Sequence, residues 1–435
     1  MLKKLTLCLC MILIAMGNHL FAQTDNTDLP KMWTLQQCLD YAKQNNITIN
    51  SLRLTAASNE QNLIQSKAAR YPNLSGNVST DLNHYKSGFS PSTTFGASSS
   101  VTLYQGNYLN NDIKSKQLAL QAANLDIQSA ENDITLQITQ AFLNILLAKE
   151  NILYYKDLIT TSEAQVTQAQ QKYDTGYLAK KDLLELQASL ATDKYSLVNA
   201  ENTVRQNKLT LKQILQLPTE DTFDVVSSDT VNVNPALVSL SDAESAALQT
   251  RPEIKSGELN VDVEKVELEK AKSTLRPTLS AGGSLGTNYA GNPSSPYFPA
   301  LNNNFYQQIG LTLSIPILDR KVTKANTERA KINIEQAKLN LKNTKTTLSQ
   351  SVEQSYIDVE NSLNQYQAAK VQLDYTQEAF RIADASYKIG QSNLVDYLQQ
   401  KNLYIQAEQS FIQAKYSAAL YAKIYNFYTG IPVTE

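Results

Sequence analysis

Two carboxylates recur at one spacing. The stretch "KYDTGYLAKKDLLELQ" (172–187) carries Tyr173, Gly176, Asp182 and Leu184. The stretch "SYKIGQSNLVDYLQQ" (386–400) carries Tyr387, Gly390, Asp396 and Leu398 in the same register, 214 residues on (176 to 390, 182 to 396). The chemistry open to an aspartate six residues past a lone glycine is electrostatic. Asp182 stands three residues before Glu185, and Asp396 three before Gln399, the spacing of a capping box that starts a returning helix. Stronger chemistry has few candidates. Past the N-terminal leader the chain keeps one histidine, His84, and one cysteine, Cys38, which excludes a histidine-based triad, a Cys–His pair and a zinc cluster. "GGSLG" at Gly282 lacks the lysine and the strand-to-helix setting of a phosphate loop, and reads as small residues in a strand. No enzyme activity, cofactor or metal is expected. A formal net charge of −2 over 435 residues gives no basic footprint for nucleic acid.

Glycine and proline show what must position those aspartates. Pro is absent from Ser92 to Leu217 and from Ile317 to Ile431. Gly176 is the sole glycine between Asn107 and Ser256, and Gly390 the sole one between Leu311 and Thr429. A glycine favours the left-handed turn just past a helix end, so each region reads as helix, tight turn, helix. Ile134, Ile138, Ala141, Ile145, Ala148, Ile152, Tyr155 and Ile159 step by four and three, a coiled-coil seam. Cys38, at helical spacing from Leu35 and Leu39, reads as a small core residue. Helices of roughly 65 residues would be about 100 Å long at 1.5 Å per residue, far more than a compact domain needs.

Upstream of each long arm lie two half-apolar segments of period two. Leu74, Gly76, Val78, Thr80 and Leu82 share a face, as do Phe95, Ala97, Ser99, Val101 and Leu103. The later pair repeats this with Leu279, Ala281, Gly283 and Leu285, then Ile309, Leu311, Leu313 and Ile315. Strands of about ten residues with one apolar face, bordered by tyrosines, suit a transmembrane barrel. Four strands cannot close one, and open edges in lipid leave backbone groups unsatisfied, so the chain is expected to oligomerise. The N-terminus, with Lys3, Lys4, an apolar run from Leu5 to Met16 and Ala22, reads as a signal peptide over 1–22. The first repeat is expected over 23–218, with strands at 73–84 and 93–105, a long helix at 108–174, a tip at 176 and a return helix at 181–216. An equatorial linker follows at 219–239. The second repeat is expected over 240–432, with strands at 278–290 and 304–316, a long helix at 321–388, a tip at 390 and a return helix at 394–428. A tail closes the chain at 429–435.

The doubled Tyr-x-x-Gly-x5-Asp-x-Leu, the twin long arms, the paired strands and the internal repeat together resemble the TolC family of outer membrane efflux proteins. The resemblance covers nearly all of the chain beyond the leader. It implies a mainly α fold with a transmembrane β-barrel: long helical hairpins form a periplasmic tunnel, and four strands per protomer complete a 12-stranded barrel in a trimer. It implies an outer membrane duct that docks with a periplasmic adaptor and an inner-membrane transporter. The adaptor-contact tips map to Gly176, Tyr177 and Leu178 and to Gly390, Gln391 and Ser392. Asp396 matches a carboxylate ring at the narrow mouth, Gln399 stands where a second acidic ring is expected, and Ser392 replaces a tethering arginine. Tyr387 and Asp182 match residues that latch the closed tip. For both aspartates, capping and gating stay open. A periplasmic coiled-coil adaptor is the alternative reading, although such a protein needs neither four alternating strands nor the same hairpin twice.

Overall fold

The structure is a computed structural model and describes residues 30–86, 88–218, 222–226, 237–290 and 296–431. The expected leader, much of the linker at 219–239 and residues 432–435 of the tail lie outside the described residues. A short strand β1 (Met32–Trp33) leads into α1 (Leu35–Asn45) and α2 (Ile47–Ala68). The hairpin β2 (Asn73–Tyr85) and β3 (Gly88–Gln105) follows, then α3 (Tyr108–Asp174) and α4 (Lys180–Leu215). After β4 (Asp224–Val225) the order repeats: α5 (Leu240–Thr250), α6 (Pro252–Ser273), β5 (Thr278–Ala290), a short α7 (Tyr297–Asn303), β6 (Tyr306–Ser314), α8 (Val322–Lys388) and α9 (Leu394–Tyr428). Some bounds differ from the sequence reading. β3 begins at Gly88 rather than 93, because pairing with β2 continues to the turn, Tyr85 opposite Gly88. The connection between β5 and β6 contains the short helix α7, and β6 spans Tyr306–Ser314 rather than 304–316, which leaves Ile315 beyond its end.

Local chemistry starts the shorter helices. Thr34 and Gln37 form a capping box on α1, and the Asn46 side chain accepts from the backbone N–H groups of Thr48 and Ile49 at the head of α2. Ser239 caps α5, and Pro252, which has no N–H to satisfy, opens α6. The long helices depend on packing. α3 and α8 have 67 residues each, about 100 Å at 1.5 Å per residue. α3 lies along α4, and α8 along α9, giving two hairpins that meet where α9 runs against α3. Along the expected seam of α3, Ile138, Ala141, Ile145, Ala148 and Ile159 are buried.

Three hydrophobic clusters sit along the hairpins. One gathers Trp33, Leu39, Phe142, Ile145, Leu215 and Ile412, with Cys38 fully buried among them. There β1 and β4 pair in parallel, and Asp224 takes both Lys149 (2.7 Å) and Lys208 (2.9 Å). Partial burial opposes ionisation of Asp224, but the two lysines outweigh it and hold the carboxyl below its usual range. A second cluster, around Ile254, Val352 and Tyr425, ties α5 and α6 to the second hairpin, and the third lies at the tips.

At the opposite end the four long strands form one antiparallel sheet in the order β2-β3-β5-β6. The register aligns the four apolar faces into one. Leu74 is opposite Ser99, Ser99 opposite Gly283, and Gly283 opposite Ile309. Ala281 pairs with Val101 on one side and with Leu311 on the other. Leu74 is 81% exposed and Ile309 93%, so no helix covers this face. β2 and β6 are free edges. Among the described residues no helix is long and apolar enough to cross a membrane.

Candidate functional site at the hairpin tips

Both tips have one geometry. At the first, Thr175 ends α3 and Gly176 takes φ +79°. The Gly176 N–H donates to the Tyr173 carbonyl (2.9 Å) and the Tyr177 N–H to that of Lys172 (2.8 Å). At the second, Gly390 takes φ +78°, its N–H donates to the Tyr387 carbonyl (3.1 Å), and the Gln391 N–H reaches that of Ser386 (2.8 Å). These are paired Schellman closures, which satisfy carbonyls that a helix end leaves orphaned. A Cβ added to either glycine meets nothing within 4 Å. Backbone sign, not space, therefore requires glycine here.

The returning helices start one turn earlier than a capping role for the aspartates requires. α4 begins at Lys180 behind Ala179, which makes no side-chain cap, and Asp182 lies in its first turn. α9 begins at Leu394, and its cap is Asn393, whose Oδ1 accepts from the Asp396 N–H at 2.8 Å. Neither Asp182 nor Asp396 is the N-cap, so that reading is corrected. Both occupy the third helical position, where a carboxylate still meets the positive end of the helix favourably.

The structure separates the other candidates by exposure. Tyr177 (86% exposed), Gln391 and the two glycines stand free, whereas Leu178 folds back against the tip core. Ser392 is half-buried, its hydroxyl 3.4 Å from the Asn393 carbonyl. Asp396 and Gln399 are exposed on α9. Tyr387 and Asp182 come together across the two hairpins. Burial raises the Tyr387 phenol's pKa, and the nearby Asp182 charge raises it further. The Tyr387 ring stacks on Tyr397 at 5.1 Å, with Lys172 Nζ 5.9 Å from its centroid. Tyr397, wholly buried, also meets Phe380 (5.8 Å) and packs with Ala169, Leu183, Leu186 and Leu394.

Above this aromatic knot the hairpins are tied by a buried ion pair. Lys401 Nζ of α9 lies 2.7 Å from Asp193 Oδ2 of α4, with side chains 2% and 7% exposed. The ammonium also donates to Ser162 Oγ and Ser189 Oγ, each at 2.9 Å, and the Ser162 hydroxyl donates to Asp193 at 2.7 Å. A partly exposed pair, Lys415 with Glu150, follows further up the α3–α9 line. Sequence reasoning missed Asn393, Tyr397, Lys401 and Asp193. A signal existed, since Leu394, Tyr397, Lys401, Tyr404 and Glu408 step by three and four along one face of α9. Among the described residues no group of His, Cys, Asp and Glu could hold a metal ion.

Comparison with known proteins agrees with this architecture. The family described as outer membrane efflux protein matches residues 38–216 and 244–421, one stretch in each half. The chain is 23% identical to the outer membrane protein TolC of Escherichia coli over 298 residues, spanning 67% of this chain and 60% of that protein. It is 21% identical to TolC of Vibrio cholerae over 398 residues, 89% of this chain and 88% of that one. The Campylobacter jejuni CmeC outer membrane channel shares the fold with a TM-score of 0.77 at 19% identity, over 91% of this chain and 86% of that chain.

Proposed function

The chain belongs to the outer membrane efflux protein family, and on that premise we propose that it is the passive exit duct of a tripartite efflux or type I secretion system. One observation carries this reading: the same left-handed hairpin tip occurs twice at one end, and a sheet with open edges and an uncovered apolar face lies at the other. Three copies would supply twelve strands and close a barrel in the outer membrane, since lipid tolerates no open sheet edge. The hairpins would then extend into the periplasm as a tunnel wall.

In this duct the tips take the periplasmic adaptor, which in turn holds the inner-membrane transporter. Tyr177 and Gln391 present their side chains to the adaptor. Gly176 and Gly390 fix the turns, Leu178 braces the first from within, and Ser392 supports the second. Tyr387 and Asp182, one from each hairpin, act as a latch. Three copies of Asp396 line the mouth, where crowded carboxylates draw cations, and Gln399 leaves that ring single. The duct performs no chemistry on its cargo and needs no cofactor. Cargo is selected by the transporter.

The test is site-specific cross-linking in cells that contain the cognate adaptor. A photo-cross-linker at Tyr177 or Gln391 should capture the adaptor, and one at Tyr195, exposed further up α4, should not. Capture from Tyr195 alone, with both tips silent, would remove the tips as the docking surface.

A further inference from the structure

Charge is segregated at the foot of the sheet, where the strands meet the helices. The ten residues next to each strand on that side (63–72, 106–115, 268–277 and 315–324) hold nine basic and three acidic side chains, a net of +6, against −2 for the whole chain. The far end differs. Between Arg276 and Asp319, a stretch that holds β5, α7 and β6, there is no Lys, Arg, Asp or Glu. From Asn73 to Gln105 the charged residues are Asp81 and Lys86.

The three acids at the foot are already engaged. Asp112 holds Lys270 and Glu269 holds Lys272, each at 2.7 Å. Asp319 accepts from the backbone N–H groups of Lys321 (3.0 Å) and Thr323 (2.8 Å). Five exposed cations, Lys67, Lys114, Arg320, Lys321 and Lys324, make no ion pair among the described residues. Arg70 and Arg276, also exposed, donate to neutral oxygens, of Asn110 (2.6 Å) and Gly106 (3.1 Å). Arg320 (φ +52°) and Lys321 (φ +68°) are left-handed, where the matching turn before α3 has Gly106 and Asn107. That backbone disfavours both side chains, and the positive end of α8 opposes cations in its first turn. Local structure thus gives no reason for cations here, whereas a partner outside the chain does.

Apolar side chains share this level. Just past β6, Ile317 is 94% exposed and Leu318 86%, and Tyr71, Leu275 and Val322 are exposed at the same foot. Cations that lined a water-filled tunnel would have no use for uncovered Ile317 and Leu318. The boundary between hydrocarbon and headgroups suits both kinds of residue, since apolar side chains and tyrosine rings lie in it while ammonium and guanidinium groups reach past it. We propose that this basic collar binds the anionic headgroups of phospholipids in the periplasmic leaflet. The inference rests on the duct reading above and deepens it by naming a lipid partner for one end of the sheet. Basic residues near a membrane surface favour anionic lipid by a factor of about five each, and the attraction fades within a Debye length, about 8 Å at physiological salt.

Native mass spectrometry of the full-length protein, released from nanodiscs of equal phosphatidylglycerol and phosphatidylcholine, counts the lipids that stay bound. Wild type should retain phosphatidylglycerol over phosphatidylcholine by about fivefold or more. Lys67→Gln, Lys114→Gln, Lys321→Gln and Lys324→Gln combined should bring the ratio to within about twofold of unity, and Arg at the same four positions should keep it high. Lys338→Gln with Lys342→Gln should change nothing, because these lysines lie about 20 Å or more further along α8, beyond the screening length. A wild-type ratio near one in particles that enter the bilayer overturns the collar and leaves the duct standing. Equal loss from the Lys338 and Lys342 pair also overturns it, since charge anywhere on the chain would then suffice. Unchanged retention in the four-Gln variant overturns it too, and lower anion permeability of that variant in planar bilayers would place these cations on the tunnel wall. Failure of wild type to enter nanodiscs would overturn the duct reading itself, and the collar with it.

Discussion

The tie between the hairpins can be measured. Lys401 and Asp193 are almost wholly buried and 2.7 Å apart, and Ser162 and Ser189 complete the ammonium's contacts. Lys401→Met keeps length and volume but leaves the Asp193 carboxylate buried beside the Ser162 hydroxyl, which still donates to it. Breaking one side of a buried pair costs about 3–5 kcal/mol, because the surviving charge stays out of water. Removing both charges, as Lys401→Met with Asp193→Leu, is close to neutral by the same reasoning, since each serine hydroxyl can turn to the carbonyl four residues back. Hydrogen exchange of the assembled protein reports local opening directly. At about 1.4 kcal/mol per tenfold, the single variant should lose roughly two to three and a half orders of magnitude of protection over 186–200 and 394–408. The double variant should recover most of it. A single-variant loss under tenfold, or a double variant as labile as the single, would refute the claim that this pair fastens one hairpin to the other.

Other outcomes follow from the tips and from the α3–α9 line. Gly176→Ala and Gly390→Ala should each cost about 1–2 kcal/mol through the left-handed backbone alone, so exchange should rise at the altered tip and not at the other. Burial, and then the nearby Glu150 charge, raises the pKa of Glu408 in the folded chain. The folded state therefore binds that proton more tightly than the unfolded one, and stability rises as pH falls through the folded pKa. Glu408→Gln should raise the unfolding midpoint at pH 7 and leave it unchanged at pH 4; no gain at pH 7 would contradict this. In planar bilayers Asp396→Asn should reduce cation selectivity and weaken block by multivalent cations. Asp182→Asn should change selectivity less and tip exchange more. Wild-type conduction by Asp396→Asn would move the constriction elsewhere along the returning helices.

The hairpins were legible because one glycine in a long stretch free of other breakers is a local signal, and Gly176 and Gly390 have the positive φ it implies. The strand faces were legible because period two survives without knowledge of the partner strand. The starts of the return helices were legible to within a residue, but their caps were not, because Asn393 and Asp396 offer competing caps three residues apart. Lys401 was hidden for a different reason. Its partners Asp193 and Ser162 lie 208 and 239 residues away in sequence, so its burial depends on how two hairpins dock and on nothing local. The proposed tip latch combines both cases: the resemblance pointed to Tyr387 and Asp182, whereas the Tyr397 platform beneath Tyr387 emerged only from packing.

A duct through the outer membrane requires that copies of the chain close the open sheet. Native mass spectrometry of the complex extracted intact from outer membranes counts those copies directly. Three chains per particle, twelve strands in all, is the result expected. A monomer in the outer membrane fraction would contradict it, because four strands with two free edges cannot satisfy their backbone in lipid.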